Sequence, residues 1–410
     1  MKMTIRLSFA FAVSLASTFG QGECLADGSP DTQYRYRYVS LSQAALPSGY
    51  ASFIPAEVID SGKVYGTLLR PDDPDLCAPA IGVWQAGRVR VFSKDAFGGP
   101  ANSHDTVAGS VVRDCTERLA LIRKGKVELI PSLPGDLFSF TLQLTDSRIA
   151  LIASFTSDSA PLYLYRRGQV KPLPFGTNGG EGGARAFPAI NGSGTVAGTY
   201  VQPGSSPFAP DTRAFRYRSG ALTLLKPRPT EPISWGEGIN QHGDVLGYSF
   251  VSGGREAIGV WRDRPGNPFQ TYFVEGTAQF RTVSNDLLWN EPGLIVITGS
   301  FNDPDSYIVP RPWVRLNLAD ITTGMPAGRV TVITDLNDRG DLLGFNYDPN
   351  TDDPVEDFLL QRLRDDETVG ASAVAPISER RSGTRAVSWR VSHPERLATT
   401  LHGKVADRSR

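Results

Sequence analysis

Two cysteines are the residues whose type and spacing point most directly to chemistry. Cys77 and Cys115 each stand ten residues before a glycine, Gly87 or Gly125, so they hold the same position in consecutive repeats of the sequence. In an oxidising compartment, thiols in equivalent loops of neighbouring units form a disulfide when their Cα atoms come within about 7 Å. The sequence therefore predicts a bond between Cys77 and Cys115.

Familiar catalytic motifs are missing from the chain. It contains no Gly-x-Ser-x-Gly, His-Glu-x-x-His or Cys-x-x-Cys sequence. Of the four histidines, His104 and His242 fall in the second and fifth repeats, too far apart to share a metal, and His393 and His402 lie near the C-terminus. We therefore predict no catalytic residue, no cofactor-binding residue and no metal ligand.

The elements that position these residues come from a recurring phrase that begins Asn-x-x-Gly. It is clearest at 191–198, 240–247 and 337–344, which gives a period of about 48 residues and indicates a repeat architecture. Weaker copies near residues 59, 102, 145 and 290 bring the total to seven. In the copy at 290 the closing Gly299 comes two residues late, and we interpret this as an inserted pair.

A second phrase alternates with the first and supports the same count. It is a bulky residue followed by a glycine three positions later, and looser versions lack the glycine. The bulky residues are Trp84, Ile122, Tyr165, Tyr217, Trp261, Trp313 and Leu360. The first phrase predicts a type I turn and the second a hairpin. Four strands in roughly 46 residues are typical of a propeller blade, and an irregular β-solenoid is the alternative.

The ends of the repeat region favour a closed ring. The last copy lacks a clear fourth strand, while residues 34–41 alternate like a strand that has no place in the first repeat. An N-terminal strand that completes the last blade would remove an open sheet edge. We predict an all-β fold, a β-propeller of seven four-stranded blades over residues 34–364, closed by that N-terminal strand.

The two ends outside this region have distinct compositions. Residues 1–26 resemble a secretory signal peptide, with Lys2 and Arg6 before an apolar stretch at 7–19. Cleavage could follow Gly20 or Ala26, and acylation of Cys24 is the rival interpretation. Residues 365–410 have the composition of a disordered basic tail. The predicted location is secreted or periplasmic.

Charge is ordered by position in the repeat. The loops predicted between second and third strands carry carboxylates: Asp72, Asp73, Asp75, Asp114, Glu117, Asp158, Asp211, Asp303, Asp305, Asp348, Asp352 and Asp353. The turns between third and fourth strands carry cations: Arg88, Arg123, Lys124, Lys126, Arg166, Arg167, Arg218, Arg262 and Arg264. Up-and-down strands place the two sets on opposite faces, and we expect the long acidic loops to form the binding surface.

One acidic loop looks like the start of a calcium site. The run Asp348-Pro-Asn350-Thr-Asp352-Asp353 has suitable oxygen ligands. A calcium-binding loop needs glycine where Asp353 stands and a bidentate glutamate where Leu359 stands. Calcium binding is therefore not predicted.

The repeat resembles that of the HAF-repeat proteins, a group of bacterial exported chains. Their unit contains Ile-Asn-x-x-Gly-x-Val-x-Gly followed by Ala-Phe-x-Trp or Tyr-x-x-Gly. The matching stretch runs from Ala189 to Gly220, and Arg213 replaces the histidine of the family's naming tripeptide. The resemblance implies export and a repeated β-unit, and it carries no activity over to this chain.

Two functions fit these observations. The first is a non-enzymatic binding or interaction module whose partner is a protein or an envelope or extracellular polymer. The second is a propeller hydrolase or lyase that acts on a polysaccharide through paired carboxylates. The formal net charge of −1 gives no global field that favours nucleic acid, and no segment has the roughly 20 apolar residues of a membrane span. We expect a monomer.

Overall fold

A computed structural model describes residues 34–73, 76–157, 159–176, 184, 188–203, 211–226, 233–251, 255–264, 269–274, 287–299, 305–351 and 354–364. The predicted signal peptide and basic tail lie outside these residues. Within the described ranges the structure has 29 strands and no helix. The strands form seven sheets, in which neighbours are antiparallel apart from one short parallel pair.

Six sheets each consist of four consecutive strands. Blade 1 contains β2 (Ser52–Val58), β3 (Val64–Leu69), β4 (Ala80–Gln85) and β5 (Arg88–Lys94). Blade 2 contains β6 (Ala96–Phe97), β7 (Thr106–Arg113), β8 (Thr116–Arg123) and β9 (Lys126–Leu129). Blade 3 contains β10 (Phe138–Leu144), β11 (Ala150–Phe155), β12 (Pro161–Arg166) and β13 (Gln169–Gly176).

The next three sheets repeat the same order. Blade 4 contains β14 (Ala189–Ile190), β15 (Val196–Val201), β16 (Thr212–Arg218) and β17 (Ala221–Leu224). Blade 5 contains β18 (Ser234–Ile239), β19 (Val245–Val251), β20 (Arg255–Trp261) and β21 (Phe269–Val274). Blade 6 contains β22 (Leu287–Trp289), β23 (Ile295–Ile297), β24 (Tyr307–Arg311) and β25 (Val314–Asn317).

Blade 7 closes the ring with a strand from the other end of the chain. Its consecutive strands are β27 (Val330–Leu336), β28 (Leu342–Tyr347) and β29 (Pro354–Leu363). The N-terminal strand β1 (Arg35–Ser40) pairs along β29, and the short β26 (Thr322–Thr323) adds a fifth strand outside it. The predicted closure is confirmed, and with it the seven-bladed propeller.

The first strand of each blade lies nearest the ring axis. β10, β14, β18, β22 and β27 contact one another in sequence, and β2 contacts β27. The buried apolar residues form seven clusters, each shared by two neighbouring blades. The hydrophobic core of the described residues is therefore a ring of seven interfaces between sheets.

The recurrent asparagine stabilises its own turn and also joins neighbouring blades. Asn191 Oδ1 accepts hydrogen bonds from the backbone N–H groups of Ser193 and Thr195, both at 3.1 Å. Its Nδ2 donates to the carbonyl oxygen of Asn240 in the next blade at 2.9 Å. Asn102, Asn290 and Asn337 donate to the next blade in the same way. The periodic asparagine is thus a structural residue of the ring.

The closing glycine of the phrase is required by a close approach of two strands. A Cβ atom added to Gly247 would lie 1.8 Å from the carbonyl oxygen of Trp235 on the first strand of blade 5. No side chain fits in that space, so the position needs glycine. In blade 6 the equivalent residue is Ile297. Ile295 stands five residues after its turn asparagine and pairs with Val309 on the third strand, as Val196 in blade 4 stands five residues after Asn191 and pairs with Tyr217. The chain therefore has no extra residues before Ile297. The inserted pair inferred from Gly299 was therefore wrong.

A second correction concerns Trp313. The sequence pattern grouped it with Trp84 and Trp261, which are buried at the ends of third strands. The pairing of Ile295 with Val309 shows that Val309 holds that position in blade 6. Trp313 lies beyond it in the hairpin turn, with 61% of its surface exposed.

The alternating strand directions define two faces of the ring. We call the side that carries the Asn-x-x-Gly turns and the hairpins between third and fourth strands the turn face. The side that carries the loops between second and third strands, and the connections between blades, is the loop face. The predicted separation of the acidic loops from the basic hairpins follows from this geometry.

Candidate functional site

Several described carboxylates of the loop face have partners nearby. Asp73 accepts hydrogen bonds from the backbone N–H groups of Cys77, at 2.9 Å, and Ala78, at 2.6 Å. Asp211 forms an ion pair with Arg213 at 2.7 Å, and Asp348 forms one with Arg329 at 2.8 Å. Asp75, Asp158, Asp303, Asp352 and Asp353 lie outside the described residues. These contacts indicate that much of the acidity of the loop face stabilises local structure.

The loop face also carries a disulfide between blades 1 and 2. Cys77 lies in the loop after β3 and Cys115 in the turn between β7 and β8. Their sulfur atoms are bonded, with the Cα atoms 4.7 Å apart. Asp73 holds the chain beside Cys77, so the bond joins two ordered loops of neighbouring blades.

The described histidines, His104 and His242, lie apart, while His393, His402, Asp352 and Asp353 lie outside the described residues. His104 Nδ1 lies 3.7 Å from Asp146 Oδ1, on the surface, while His242 lies on an exposed turn of blade 5. In the part of the chain that the structure describes, no three histidine, cysteine, aspartate or glutamate side chains group in a way that could hold a metal ion.

Two carboxyl groups meet beside the axis, where the first and last blades join. Glu57 lies on β2 and Asp335 on β27, each immediately after a β-bulge. Asp335 Oδ2 accepts a hydrogen bond of 2.6 Å from the backbone N–H of Val58. Burial, followed by repulsion from Asp335, raises the pKa of Glu57 well above its usual range. Burial also raises the pKa of Asp335 to about 7, although hydrogen bonds from the backbone N–H groups of Val58 and Leu336 act to lower it.

Four carboxylates lie at the tips of the first turns, on the inner part of the turn face. In these blades the second residue of the turn, which follows an asparagine or the Ile59 or Thr145 in its place, accepts a backbone hydrogen bond from its counterpart in the preceding blade. The carboxylates that do so are Asp60, Asp146, Glu291 and Asp338. Burial raises the pKa of Asp60 and of Glu291, and repulsion from Asp338 adds to both shifts. We call these four residues the acidic mouth.

The outer part of the turn face is basic, because the hairpins between third and fourth strands end there. Arg88, Arg123, Lys124, Lys126, Arg166, Arg167, Arg218, Arg264 and Arg311 are exposed at these hairpins. Several hairpins turn through two residues with positive φ, as in Arg167 and Gly168 (51° and 81°), which is the geometry of a type I′ turn. The turn geometry thus projects the cations outward around the acidic mouth.

We call this outer, basic part of the turn face the basic rim. Part of it forms an open cleft on blade 5. Asp244, Arg262, Asp263, Arg264 and Gln270 line it. Burial acts to raise the pKa of Asp244, but hydrogen bonds from the Asp263 N–H and from Arg262 hold this pKa below its usual value. The Asp244 carboxylate is therefore ionised at neutral pH and is committed to the wall of the cleft. We call these five residues the blade 5 cleft.

Trp313 lies next to this cleft on the hairpin of blade 6. Its backbone N–H donates to the carbonyl oxygen of Tyr272 at 2.8 Å, while the Tyr272 hydroxyl accepts a hydrogen bond of 2.9 Å from Arg262. Arg311 pairs with Val314, so Pro312 and Trp313 form a two-residue turn in which Trp313 has φ 65°. A bulky residue in this left-handed region is strained, and such strain is concentrated at functional sites.

The candidate site thus differs from the one expected from the sequence. The carboxyl pair of Glu57 and Asp335 and the exposed position of Trp313 were both missed. A cue existed for Trp313, since the dipeptide Pro312-Trp313 places proline at the second position of a turn, where it favours types I and II. Within the described residues, no helix has the length and apolar character that a membrane crossing requires.

Comparisons with known proteins add solved structures at low identity. A virginiamycin B lyase from Staphylococcus aureus is similar over 80% of this chain and 99% of its own, with a TM-score of 0.42 and 9% identity. YCF48 from Cyanidioschyzon merolae is similar over 80% of this chain and 98% of its own, with a TM-score of 0.41 and 12% identity. A puromycin hydrolase is similar over 78% of this chain and 54% of its own, with a TM-score of 0.44 and 14% identity. No protein-family model and no curated protein sequence matches the chain.

Proposed function

We propose that this chain is an exported, non-enzymatic propeller that binds an extracellular or envelope polymer on its turn face. The observation that carries the proposal is Trp313, a 61% exposed indole beside the polar blade 5 cleft. A large aromatic side chain next to a concave polar surface supplies both contact area and directional hydrogen bonds. The backbone of Trp313 is hydrogen-bonded to Tyr272 of blade 5, so the turn that carries the indole is already ordered before a ligand binds.

Export is supported by two further observations. Residues 7–19 are an apolar stretch preceded by Lys2 and Arg6, as in a secretory signal. The Cys77–Cys115 disulfide fits an oxidising compartment. The proposed location is therefore secreted or periplasmic, and the proposed form is a monomer, which light scattering of the purified chain would check.

The test is retention of the protein on a panel of insoluble and immobilised polymers. The panel holds peptidoglycan, cellulose, chitin, pectin and alginate. We expect the native chain to be retained on at least one polymer, and the Trp313→Ala variant to lose that retention. Leu137→Ala is the matched control, because Leu137 is 75% exposed and lies on the loop face. Absence of retention on every polymer, or equal retention of both variants, would contradict the proposal.

A second function is favoured by the pair of Glu57 and Asp335. Carboxyl groups with raised pKa values beside an axis can act as general acid and base on a polysaccharide. If the chain is such a hydrolase or lyase, Glu57→Gln and Asp335→Asn abolish release of reducing ends or of unsaturated products. If both variants release either product at the same rate as the native chain, the hydrolase or lyase function is excluded.

A further inference from the structure

We propose that the blade 5 cleft and Trp313 select an acidic polysaccharide, a sugar polymer that carries carboxylate or sulfate groups. This inference rests on the binding function proposed above and assigns the ligand class of the same surface. Three structural observations support it: the balance of charge at the cleft, the connection between the cleft and Trp313, and the acidic mouth at the centre of the face.

Cations outnumber carboxylates where blades 4 and 5 meet on the turn face. The charged groups there are Arg216, Arg218, Arg262, Arg264, Asp244 and Asp263. Asp263 accepts from Arg216 at 2.9 Å and from Arg218 at 2.8 Å, so one carboxylate faces two guanidinium groups. Arg264 is exposed and forms no ion pair with any described residue. The excess positive charge suits an anionic group, which guanidinium binds through paired N–H donors.

The cleft and the hairpin that carries the indole are joined through one residue. Tyr272 connects them, because its hydroxyl accepts from Arg262 in the cleft and its carbonyl oxygen accepts from the N–H of Trp313. An aromatic face beside guanidinium groups matches a sugar ring, whose C–H groups pack on indole while its anionic substituent reaches arginine.

The acidic mouth argues against two other anionic partners. A bilayer is flat and a DNA duplex is stiff, so either would cover the centre of the turn face when it reached the basic rim. There it would meet the carboxylates Asp60, Asp146, Glu291 and Asp338, and like charges repel. A narrow, flexible polymer can follow the rim and avoid the mouth. Among anionic partners, the surface therefore favours a polysaccharide.

The experiment measures dissociation constants of the full chain by calorimetry with paired probes. Polygalacturonate is compared with its fully methyl-esterified form, and dextran sulfate with dextran, so that the members of each pair share a sugar backbone and differ in charge. We expect the acidic member of at least one pair to bind at least tenfold more tightly, with weaker binding at higher salt. Arg264→Ala and Trp313→Ala should each weaken that binding at least fivefold. Arg166→Ala, at the equivalent exposed hairpin of blade 3, should change it less than twofold.

The outcomes separate the ligand class from the function. Equal binding of charged and neutral members, lost in Trp313→Ala, would overturn the acidic polysaccharide and leave the binding function in place. Equal loss in Arg166→Ala and Arg264→Ala would overturn the assignment to the blade 5 cleft. A DNA duplex or anionic vesicles that bind as tightly, without dependence on Trp313, would show attraction to any polyanion and would also overturn it. If no probe binds and the polymer panel is also negative, both proposals fail.

Discussion

The side-chain amide of Asn337 donates a hydrogen bond of 2.9 Å to the carbonyl oxygen of Ile59, 278 residues away in sequence. This bond joins blade 7 to blade 1. It belongs to a set of four, in which Asn102, Asn191, Asn290 and Asn337 donate in the same rotational sense, each from its own blade to the next. The bonds therefore lock the inner end of the ring on its turn face.

Replacement of Asn337 by alanine should destabilise the ring. The variant loses the bond to Ile59 and the bonds that Asn337 makes within its own turn to Asp341, and Asn337 is only 5% exposed. Loss of one partner of a buried hydrogen bond costs about 1 to 3 kcal/mol. Urea unfolding should show this decrease. Asn350→Ala, at an exposed turn, is the control and should cost less than about 0.5 kcal/mol.

Removal of the closing strand should be far more damaging than removal of the C-terminal segment. Deletion of residues 27–42 takes away β1, whose Tyr36 is fully buried between blades 6 and 7. Deletion of 366–410 removes a segment without the repeat or a substantial apolar content. We expect the first deletion to lose the cooperative thermal transition and the second to keep it. Equal melting temperatures would contradict the role assigned to β1.

The carboxyl pair predicts a dependence of stability on pH. The folded-state pKa values of Glu57 and Asp335 are raised, so the folded chain holds protons that the unfolded chain has released. The contribution of these two groups to stability is therefore greatest below about pH 4, where both states are protonated at them, and it is lost as pH rises through about 7. Glu57→Gln should raise the melting temperature at pH 8 and change it little at pH 4. Asp320→Asn, on an exposed loop, should alter neither value.

Trp313 predicts a difference between two substitutions at one position. Trp313→Ala and Trp313→Gly both remove the indole, but only alanine keeps the penalty of φ 65°. The glycine variant should therefore be more stable than the alanine variant by about 1 kcal/mol. At Arg311, inside β24, the order should reverse, because glycine in a strand costs about 0.5 to 1 kcal/mol relative to alanine. An unchanged order at both positions in urea unfolding would contradict the strain at Trp313.

The disulfide predicts a measurable loss on removal. Cys77→Ser should lower the free energy of unfolding by about 2 to 4 kcal/mol, since the cross-link restricts the unfolded chain. Reduced protein without the mutation should behave in the same way. A chain that begins at residue 27 should show no free thiol when unfolded without reductant and two after reduction. Two thiols before reduction would contradict the bond.

The parts of the fold that could be predicted are those that most blades share. Asn191 recurs because its side chain caps the first turn, and Gly247 recurs because a carbonyl oxygen leaves no space for a side chain there. The closing strand could be predicted because residues 34–41 alternate without a partner in their own repeat. Such constraints are local, so they leave a periodic signal in the sequence.

The candidate site lacked that signal because it depends on departures from the repeat. Glu57 and Asp335 belong to the first and last blades, and only closure brings them together. Trp313 was grouped with the bulky residues that end third strands, because the strand before it is irregular between Ile308 and Arg311, which moves the hairpin along the sequence. Neither juxtaposition could be read from spacing alone.

The pairing of Arg35 with Leu363 has a practical consequence for any attachment of the protein to a surface. β29 runs towards the turn face and β1 runs away from it, so both ends of the ring emerge at one corner of blade 7 on the same side as Trp313. A chip coupled directly at residue 34 or 364, where the ring begins and ends, would hold the turn face against the support and shield the indole from soluble polymers. Coupling through the loop face, for example near the exposed Leu137, would present the indole to solution.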